Sequence, residues 1–387
     1  MARVTGTYRN TPYGGGEKVR AFLPFPLPPR DPPLSLSGEL AERHAGALVS
    51  LGRLGVAGDM VPSAGWFLYG FVRKEAVISS QIEGTQATLQ DVLTYEATRK
   101  SDRPDDVQEV CNYVDALSFA RSEAARPGGL PLCSRLLSET HKRLMRGVRG
   151  ADKQPGAVRR SQNWIGGSRP GNARFVPPPP DAVPEALAFL DRWIHGKDPL
   201  PPLIRAGLAH VQFETVHPFL DGNGRIGRLL ITLLVEHWGL LPSPLLYLSL
   251  AFKRHRAEYY RRLTEVRTRG DWEGWTSFFL DCVRESAEDG VDASRRLFLL
   301  LGRDRTRVAR HPATTMPAVR LFDLLPDHPI VTLPVALRLL DTTKPTASKA
   351  IGALLQAGVL REISGKRRDR IYAYSEYLKV LGEDTQA

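Results

Sequence analysis

His217-Pro218-Phe219-Leu220-Asp221-Gly222-Asn223-Gly224-Arg225-Ile226-Gly227-Arg228 is the stretch whose reading decides the fold. Asp221-Gly222-Asn223-Gly224 cannot continue a regular element, because two glycines admit left-handed backbone angles and close approach by a ligand. Leu229, Leu230, Leu233 and Leu234 then mark one face of an amphipathic helix. A Gly-rich turn that opens a helix aims several N–H groups at one place, beside the positive end of the helix dipole, and so makes an anion site. Arg225 and Arg228, three apart in the first turn, share a side. They can grip phosphate oxygens bidentately. Asp221 offers the hard oxygen that Mg2+ takes together with substrate phosphates. His217 stands just outside as a base with an ordinary pKa near ~6.5. The bland alternative is a Gly-rich turn before a core helix; His, Asp, Gly-Asn-Gly and two arginines so close together argue against it. The Walker pattern is absent, so this is not a P-loop.

Outward from this stretch the pattern is helical. Apolar spacing predicts helices over 182–194, 202–214 and 225–238, and broken helices over 256–266 and 272–307. Upstream, 36–100 reads as helical, followed by 107–125 and 132–146. Phe22 to Pro33 is Pro-dense and reads as an extended arm laid on the domain surface. Residues 147–181 change to Gly, Pro, Arg and Asn, which suits a long functional loop. Within it, 161–167 suits a short strand or hairpin. From Ala318 the order is helix, a helix over 333–340 capped by Thr332, a turn, a helix over 345–356, and paired strands at 359–363 and 370–374. That is the winged helix-turn-helix pattern.

The chain has 387 residues, 42% of them apolar and 25% charged, which excludes wholesale disorder. The longest uncharged apolar stretch, 238–252, is too short for a membrane helix and contains Pro242 and Pro244. Cys111, Cys133 and Cys282 lie far apart, which fits a reducing cytoplasm and excludes a Cys-based zinc site. The net charge of +11 is concentrated: residues 135–174 hold ten Lys and Arg against two Asp and Glu. From 320 to 387 there are ten bases and eight acids. The charge therefore points first to polyphosphate and an acidic protein target, and second to DNA.

HPFLDGNGRIGR resembles the Fic motif, HxFx[DE]GNGRxxR, at every defined position. Ser79 to Gly84 contains [ST]xxxE[GN] and looks like the inhibitory-helix motif of that family. Asn163, Trp164, Ile165 and Gly166 resemble the flap that positions the target segment. Tyr259 and Tyr260 resemble a tyrosine pair that lines the nucleotide pocket. The resemblance covers roughly residues 20–375.

The resemblance implies a mainly α fold: a Fic-type helical core with a short β-hairpin flap, plus a C-terminal winged helix-turn-helix domain. The implied boundaries are an N-terminal arm and helical region with the inhibitory helix (1–104), a catalytic domain (105–290), a helical linker (291–314) and the winged helix (315–387). It implies transfer of AMP from ATP, with Mg2+, to a Ser, Thr or Tyr hydroxyl of a target protein, self-modification or removal of AMP being open variants. His217 would be the general base and Asp221 the metal ligand. Gly222, Asn223 and Gly224 would form the anion hole, and Arg225 and Arg228 would hold the outer phosphates. Glu83, with Ser79 one helical turn before it, would block the γ-phosphate site by pairing with Arg228. A family asparagine falls at Arg267 here, which leaves base recognition open. A Fic core that senses nucleotide for a DNA-binding regulator, and a transferase using another nucleotide, are alternatives. A homodimer is a further expectation, and no membrane partner is expected. His210, Trp272 and Trp275 read as core.

Overall fold

The structure, a computed structural model, describes residues 3–13, 17–59 and 64–386. The fold is mainly α. Its helices up to residue 310 are α1 (Glu39–Asp59), α2 (Ala64–Ile82), α3 (Leu89–Thr98), α4 (Pro104–Ala125), α5 (Ser134–Leu144), α6 (Val183–His195), α7 (Pro202–Val216), α8 (Asn223–His237), α9 (Ser249–Arg254), α10 (Arg256–Arg269) and α11 (Trp272–Arg310). The chain forms two compact units, one of Met1–Gly52, Asn112–Pro244 and Leu248–Ser286, the other of Arg53–Cys111, Leu245–Tyr247 and Ala287–Ala387.

In the first unit, α7 is buried all round, every residue from Leu203 to Val216 being covered. A helix of that kind belongs at the centre. It packs against α6 and α8, and α5 packs on α8. Arg205, His210 and Gln212 find hydrogen-bond partners there. Arg205 Nη2 donates to the last carbonyls of α6, on Trp193 (2.6 Å) and Ile194 (3.1 Å), where a cation also suits the helix dipole. Trp275 is buried and donates from Nε1 to Gly207 O at 3.0 Å; Trp272 is buried too. On α8, a Cβ at Gly227 would stand 2.4 Å from Glu214 Oε1, so a glycine is what lets α7 and α8 approach.

Two strands escape the sequence reading. β1 (Gly6–Tyr13) and β2 (Glu17–Pro24) form an antiparallel hairpin with register from Gly6↔Pro24 to Tyr13↔Glu17. Val19, Ala21 and Phe22 on β2 are buried. The Pro-dense arm begins as the end of β2. Beyond it Leu27 is buried, and Gln212 Nε2 donates to Phe25 O at 3.1 Å.

In the second unit the expected helical run 36–100 is divided. After α2, Gly84 turns the chain at φ +102°. Thr88 then starts α3 with a capping box, its Oγ1 accepting from Asp91 N (3.2 Å) while its N–H donates to Asp91 Oδ2 (2.8 Å). The helix from Trp272, expected to be broken, is continuous for 39 residues, about 58 Å at 1.5 Å per residue. An isolated glycine in a helix is tolerated, and a Cβ at Gly290 would lie 2.8 Å from Leu54, so that glycine admits a close neighbour.

The chain ends with α12 (Met316–Leu324), β3 (Ile330–Thr332), α13 (Leu333–Leu340), α14 (Lys344–Gln356), β4 (Arg361–Glu362), β5 (Ile371–Ala373) and α15 (Ser375–Leu381). The two expected strands are present but shorter. The third, β3, pairs with the other edge of β5, giving the antiparallel order β3-β5-β4. α12 packs on α13 and α14. Tyr374 OH donates to the buried Asp304 at 2.8 Å and fixes the sheet to α11. No described helix is long and apolar enough to cross a membrane.

Candidate active site

The stretch 217–228 links α7 to α8. His217 ends α7 in the left-handed region (φ 50°, ψ 61°), with its N–H on Phe213 O at 2.9 Å. A non-glycine residue stays there only where its surroundings hold it. Arg159 does so. Its Nε donates to His217 O (2.9 Å) and its Nη2 to Pro178 O (2.6 Å) and Val216 O (3.3 Å). Its own N–H donates to Pro218 O at 2.9 Å. Burial pushes this guanidinium down to about 10.

Asn223 closes the loop. Its Oδ1 accepts from Phe219 N at 2.9 Å and its Nδ2 donates to Phe219 O at 2.8 Å. Gly222 is left-handed (φ 73°), and its N–H donates to Asp221 Oδ1 at 2.6 Å. Gly222 thus contributes conformation, its N–H being taken. The N–H of Ile226 is the first to close on the helix, to Gly222 O at 3.1 Å. Those of Asn223, Gly224 and Arg225 precede the ladder, as the first groups of any helix do. Arg225 is buried, its Nη2 lying 3.6 Å from Met145 Sδ and 3.9 Å from Asp221 Oδ1. Arg228 is buried as well. Arg225 therefore lies behind Asp221. Both motif arginines thus lie on the buried face of α8.

Asp221 keeps 42% of its side chain exposed. One hard carboxylate, with no group of three His, Cys, Asp or Glu around it among the described residues, is the donor set of a cation shared with a polyphosphate. It fits Mg2+ better than zinc, which takes a closed set of nitrogen and sulfur ligands.

His141, on the buried face of α5, lies beneath the loop. Gly156 N–H donates to its Nδ1 at 2.8 Å, and its Nε2 is 3.0 Å from Asp221 O. The ring stacks on Phe219 with centroids 3.9 Å apart and planes 3° from parallel. Burial pushes its pKa down to about 4, so it is neutral at pH 7.

The flap residues converge on the same loop. Asn163 Nδ2 donates to Phe219 O at 3.0 Å, beside the Asn223 amide. Ile165 pairs with Phe175 in a single antiparallel bridge, and Gly166 and Gly167 turn at φ 69° and 77°. Trp164 packs against Val19, Ala21 and Val176, so the β1–β2 hairpin backs the flap. Phe22 N–H donates to Val176 O at 3.0 Å.

Tyr259 is buried, and its hydroxyl meets His210 Nε2 at 2.8 Å. His210 Nδ1 is 2.9 Å from Gly227 O, so Nδ1 carries the proton and Nε2 accepts from the tyrosine. Tyr259 is therefore core, whereas Tyr260 is 43% exposed. The two rings still touch, with centroids 5.1 Å apart and planes 57° from parallel. Arg267 donates from Nε to Thr215 Oγ1 (3.1 Å) and from Nη2 to Glu214 O (3.0 Å), and its guanidinium lies 4.0 Å over the Phe175 ring. It ties α10 to the last turn of α7 and to the flap.

Ser79 and Glu83 lie in the second unit. Ser79 is buried in α2, and Glu83 follows α2 with its N–H on Ser80 O at 3.0 Å.

The sequence reading missed His141, Arg159, Met145 and the hairpin. His141 carried a signal, a histidine in line with Leu137 and Leu144 on an apolar face; Arg159 is one of many bases in its loop.

The family profile described as Fic/DOC family N-terminal matches residues 41–122, and that described as Fic/DOC family matches 131–235. A protein adenylyltransferase Fic of Drosophila erecta is 26% identical over 212 residues, covering 54% of this chain and 39% of that protein. One of Aedes aegypti is 31% identical over 152 residues, covering 39% and 27%. The chain thus spans well under half the length of these relatives. The crystal structure of a Fic family protein from Desulfovibrio desulfuricans G20 has the same fold, with a TM-score of 0.58 and 21% identity over 89% of this chain and 98% of that one.

Proposed function

We propose that this chain, which Fic/DOC family profiles match over 41–122 and 131–235, is a self-inhibited protein adenylyltransferase, moving AMP from ATP to a Ser, Thr or Tyr hydroxyl of a target protein. The observation that carries this reading is His217 held left-handed, by Arg159 and Phe213, just before the N-terminus of α8. His217 takes the proton of the target hydroxyl, whose oxygen attacks the α-phosphorus. The bond from that phosphorus to the bridging oxygen breaks, and pyrophosphate leaves. The first-turn amides of α8 and the dipole behind them face the growing negative charge. Arg225 and Arg228 add positive potential from the core side. Asp221 and the substrate phosphates would hold magnesium, which supplies charge neutralisation.

Glu83 is the inhibitory group in this proposal, competing with the γ-phosphate for Arg228. A Glu–Arg pair in place of an Arg–phosphate contact is a two-state competition, and so a switch. The exposed basic side chains Arg146, Lys153, Arg160 and Arg174 support an acidic target surface near the flap.

Incubation with ATP labelled on the α-phosphate should label protein, and Glu83→Gly should raise the yield. His217→Ala should lower it by at least about 100-fold, the worth of a general base. Full labelling by that variant would sink the base assignment. GTP, CTP and UTP in the same assay decide the base.

A second reading concerns residues 315–387, which we take as a winged helix-turn-helix. Thr343 at the start of α14, and Lys344, Ser348 and Lys349 on it, are exposed, as are Lys366 to Arg370 between β4 and β5. That pattern favours contact with DNA phosphates.

A further inference from the structure

We infer that His141 is a positioning residue that aims the Asp221 carboxylate by fixing the plane of the Asp221–Gly222 peptide. The inference rests on the transferase reading only for what that carboxylate is aimed at.

The tautomer of His141 follows from its partners. Nδ1 receives the N–H of Gly156 at 2.8 Å, so it presents a lone pair. In a neutral imidazole the proton is then on Nε2. Nε2 lies 3.0 Å from the carbonyl oxygen of Asp221, an acceptor only, and donates to it.

A trans peptide is planar, with its C=O and N–H pointing opposite ways. Pinning the Asp221 oxygen on His141 therefore turns the Gly222 N–H away from the ring. There it meets Asp221 Oδ1 at 2.6 Å. That bond holds one carboxylate oxygen, and Arg225 lies behind the same oxygen at 3.9 Å. Oδ2 is left for a cation. The order of control is Gly156 amide, imidazole, Asp221 carbonyl, Gly222 amide, Asp221 carboxylate.

Two features make His141 more than a filler. Its ring is clamped flat on Phe219, so its nitrogens have one orientation. A Cβ at Gly222 would stand 3.3 Å from Nε2 and 2.9 Å from Met145 Sδ, so only a glycine seats the loop on this support. The support comes from outside the twelve-residue motif: His141 from α5, Met145 just after it, and Gly156 from the loop beyond. Groups that orient a metal ligand from behind are commonly worth about 10–100-fold in metal affinity.

The test compares His141→Gln, His141→Asn and His141→Phe in the full chain. The glutamine amide reaches toward the Nε2 position and can donate to Asp221 O. Asparagine reaches only the Nδ1 position, and phenylalanine keeps the stacking alone. In α-phosphate labelling, the Mg2+ concentration for half-maximal rate should rise by about tenfold or more in the Asn and Phe variants. The Gln variant should stay within about threefold of the parent, the rescue that a stacking role would not give. Imidazole 15N shifts of the metal-free parent at pH 7.5 should show Nε2 protonated and Nδ1 bare. Exchange of the Gly222 amide should quicken in His141→Phe while the urea midpoint of the remaining chain marks it as folded. The opposite tautomer, unchanged Gly222 exchange, or unchanged Mg2+ dependence in a folded His141→Phe overturns the inference. A parent chain that labels nothing counts against the transferase alone, because the tautomer and the Gly222 amide still decide the role of His141.

Discussion

Arg159 Nε donates to the carbonyl oxygen of His217 at 2.9 Å, and the same guanidinium reaches Pro178 and Val216. One side chain thus ties the left-handed His217 to the segment at Pro178. Hydrogen bonds from a charged donor contribute about 1.5–3 kcal/mol each, and a buried orphan carbonyl costs about as much. Arg159→Lys, which loses the fork, should lower unfolding free energy by about 2–4 kcal/mol. It should also lower the labelling rate at saturating ATP, because His217 is released from its strained angles. Urea denaturation and α-phosphate labelling check the two halves separately.

Asn223 pairs with both backbone groups of Phe219, so Asn223→Ala leaves the Phe219 N–H buried and unmatched. The expected cost is about 1–3 kcal/mol, with labelling lost alongside. In Asn223→Asp the N–H is still served, but a carboxylate oxygen faces the Phe219 carbonyl. That variant should recover part of the stability and little of the rate, as read by urea midpoints and labelling.

His210 makes stability depend on pH. Burial pushes its pKa down to about 3, below the ~6.5 of an unfolded chain. The unfolded state therefore binds the extra proton below pH 6.5. The stabilising effect is complete above that pH and is lost as the pH falls toward 3. One such group adds a slope of up to about 1.4 kcal/mol per pH unit. Urea midpoints between pH 7 and pH 4 should show this slope, and His210→Gln should reduce it. An equal slope in both chains would place the acid sensitivity elsewhere.

The β1–β2 hairpin should matter to the flap more than to the nucleotide. Val19→Asp puts a carboxylate among Ala21, Val176 and Trp164, where an unpaired polar group costs about 1–3 kcal/mol. Labelling of the target should fall while ATP binding, followed by calorimetry, stays near the parent value. Loss of both together would show that the hairpin supports the whole unit.

For the C-terminal residues, DNA binding by the full chain should weaken steeply with salt. Replacing Lys366, Arg367 and Arg368 by alanine should flatten the dependence by about 0.9 per phosphate contact removed. Absence of binding at low salt ends that reading.

The motif loop was legible in the sequence because its geometry is local. Asn223 reaches Phe219 across four positions, and the left-handed turn falls on Gly222. The helices near it were legible from their apolar spacing. What escaped lies far along the chain: His141 meets Asp221 across 80 positions, and Arg159 meets His217 across 58. Periodicity carries no record of such pairs. The bond from the Tyr259 hydroxyl to the buried His210 spans 49 positions and likewise escaped. The hairpin was missed because the apolar residues of β2 follow a largely polar β1 in the sequence.

The partnership of that hairpin with the flap also has a consequence for biosynthesis. Arg9 pairs with Asp181, 172 positions on. During translation, residues 17–24 leave the ribosome well before the chain that covers them exists, so Val19 and Ala21 wait bare in water. Contacts of such sequence separation close late and slowly, and a waiting strand invites capture by other chains. The segment around Trp164 is therefore among the last parts of the nascent chain to be ordered, after the helical body behind it has been made.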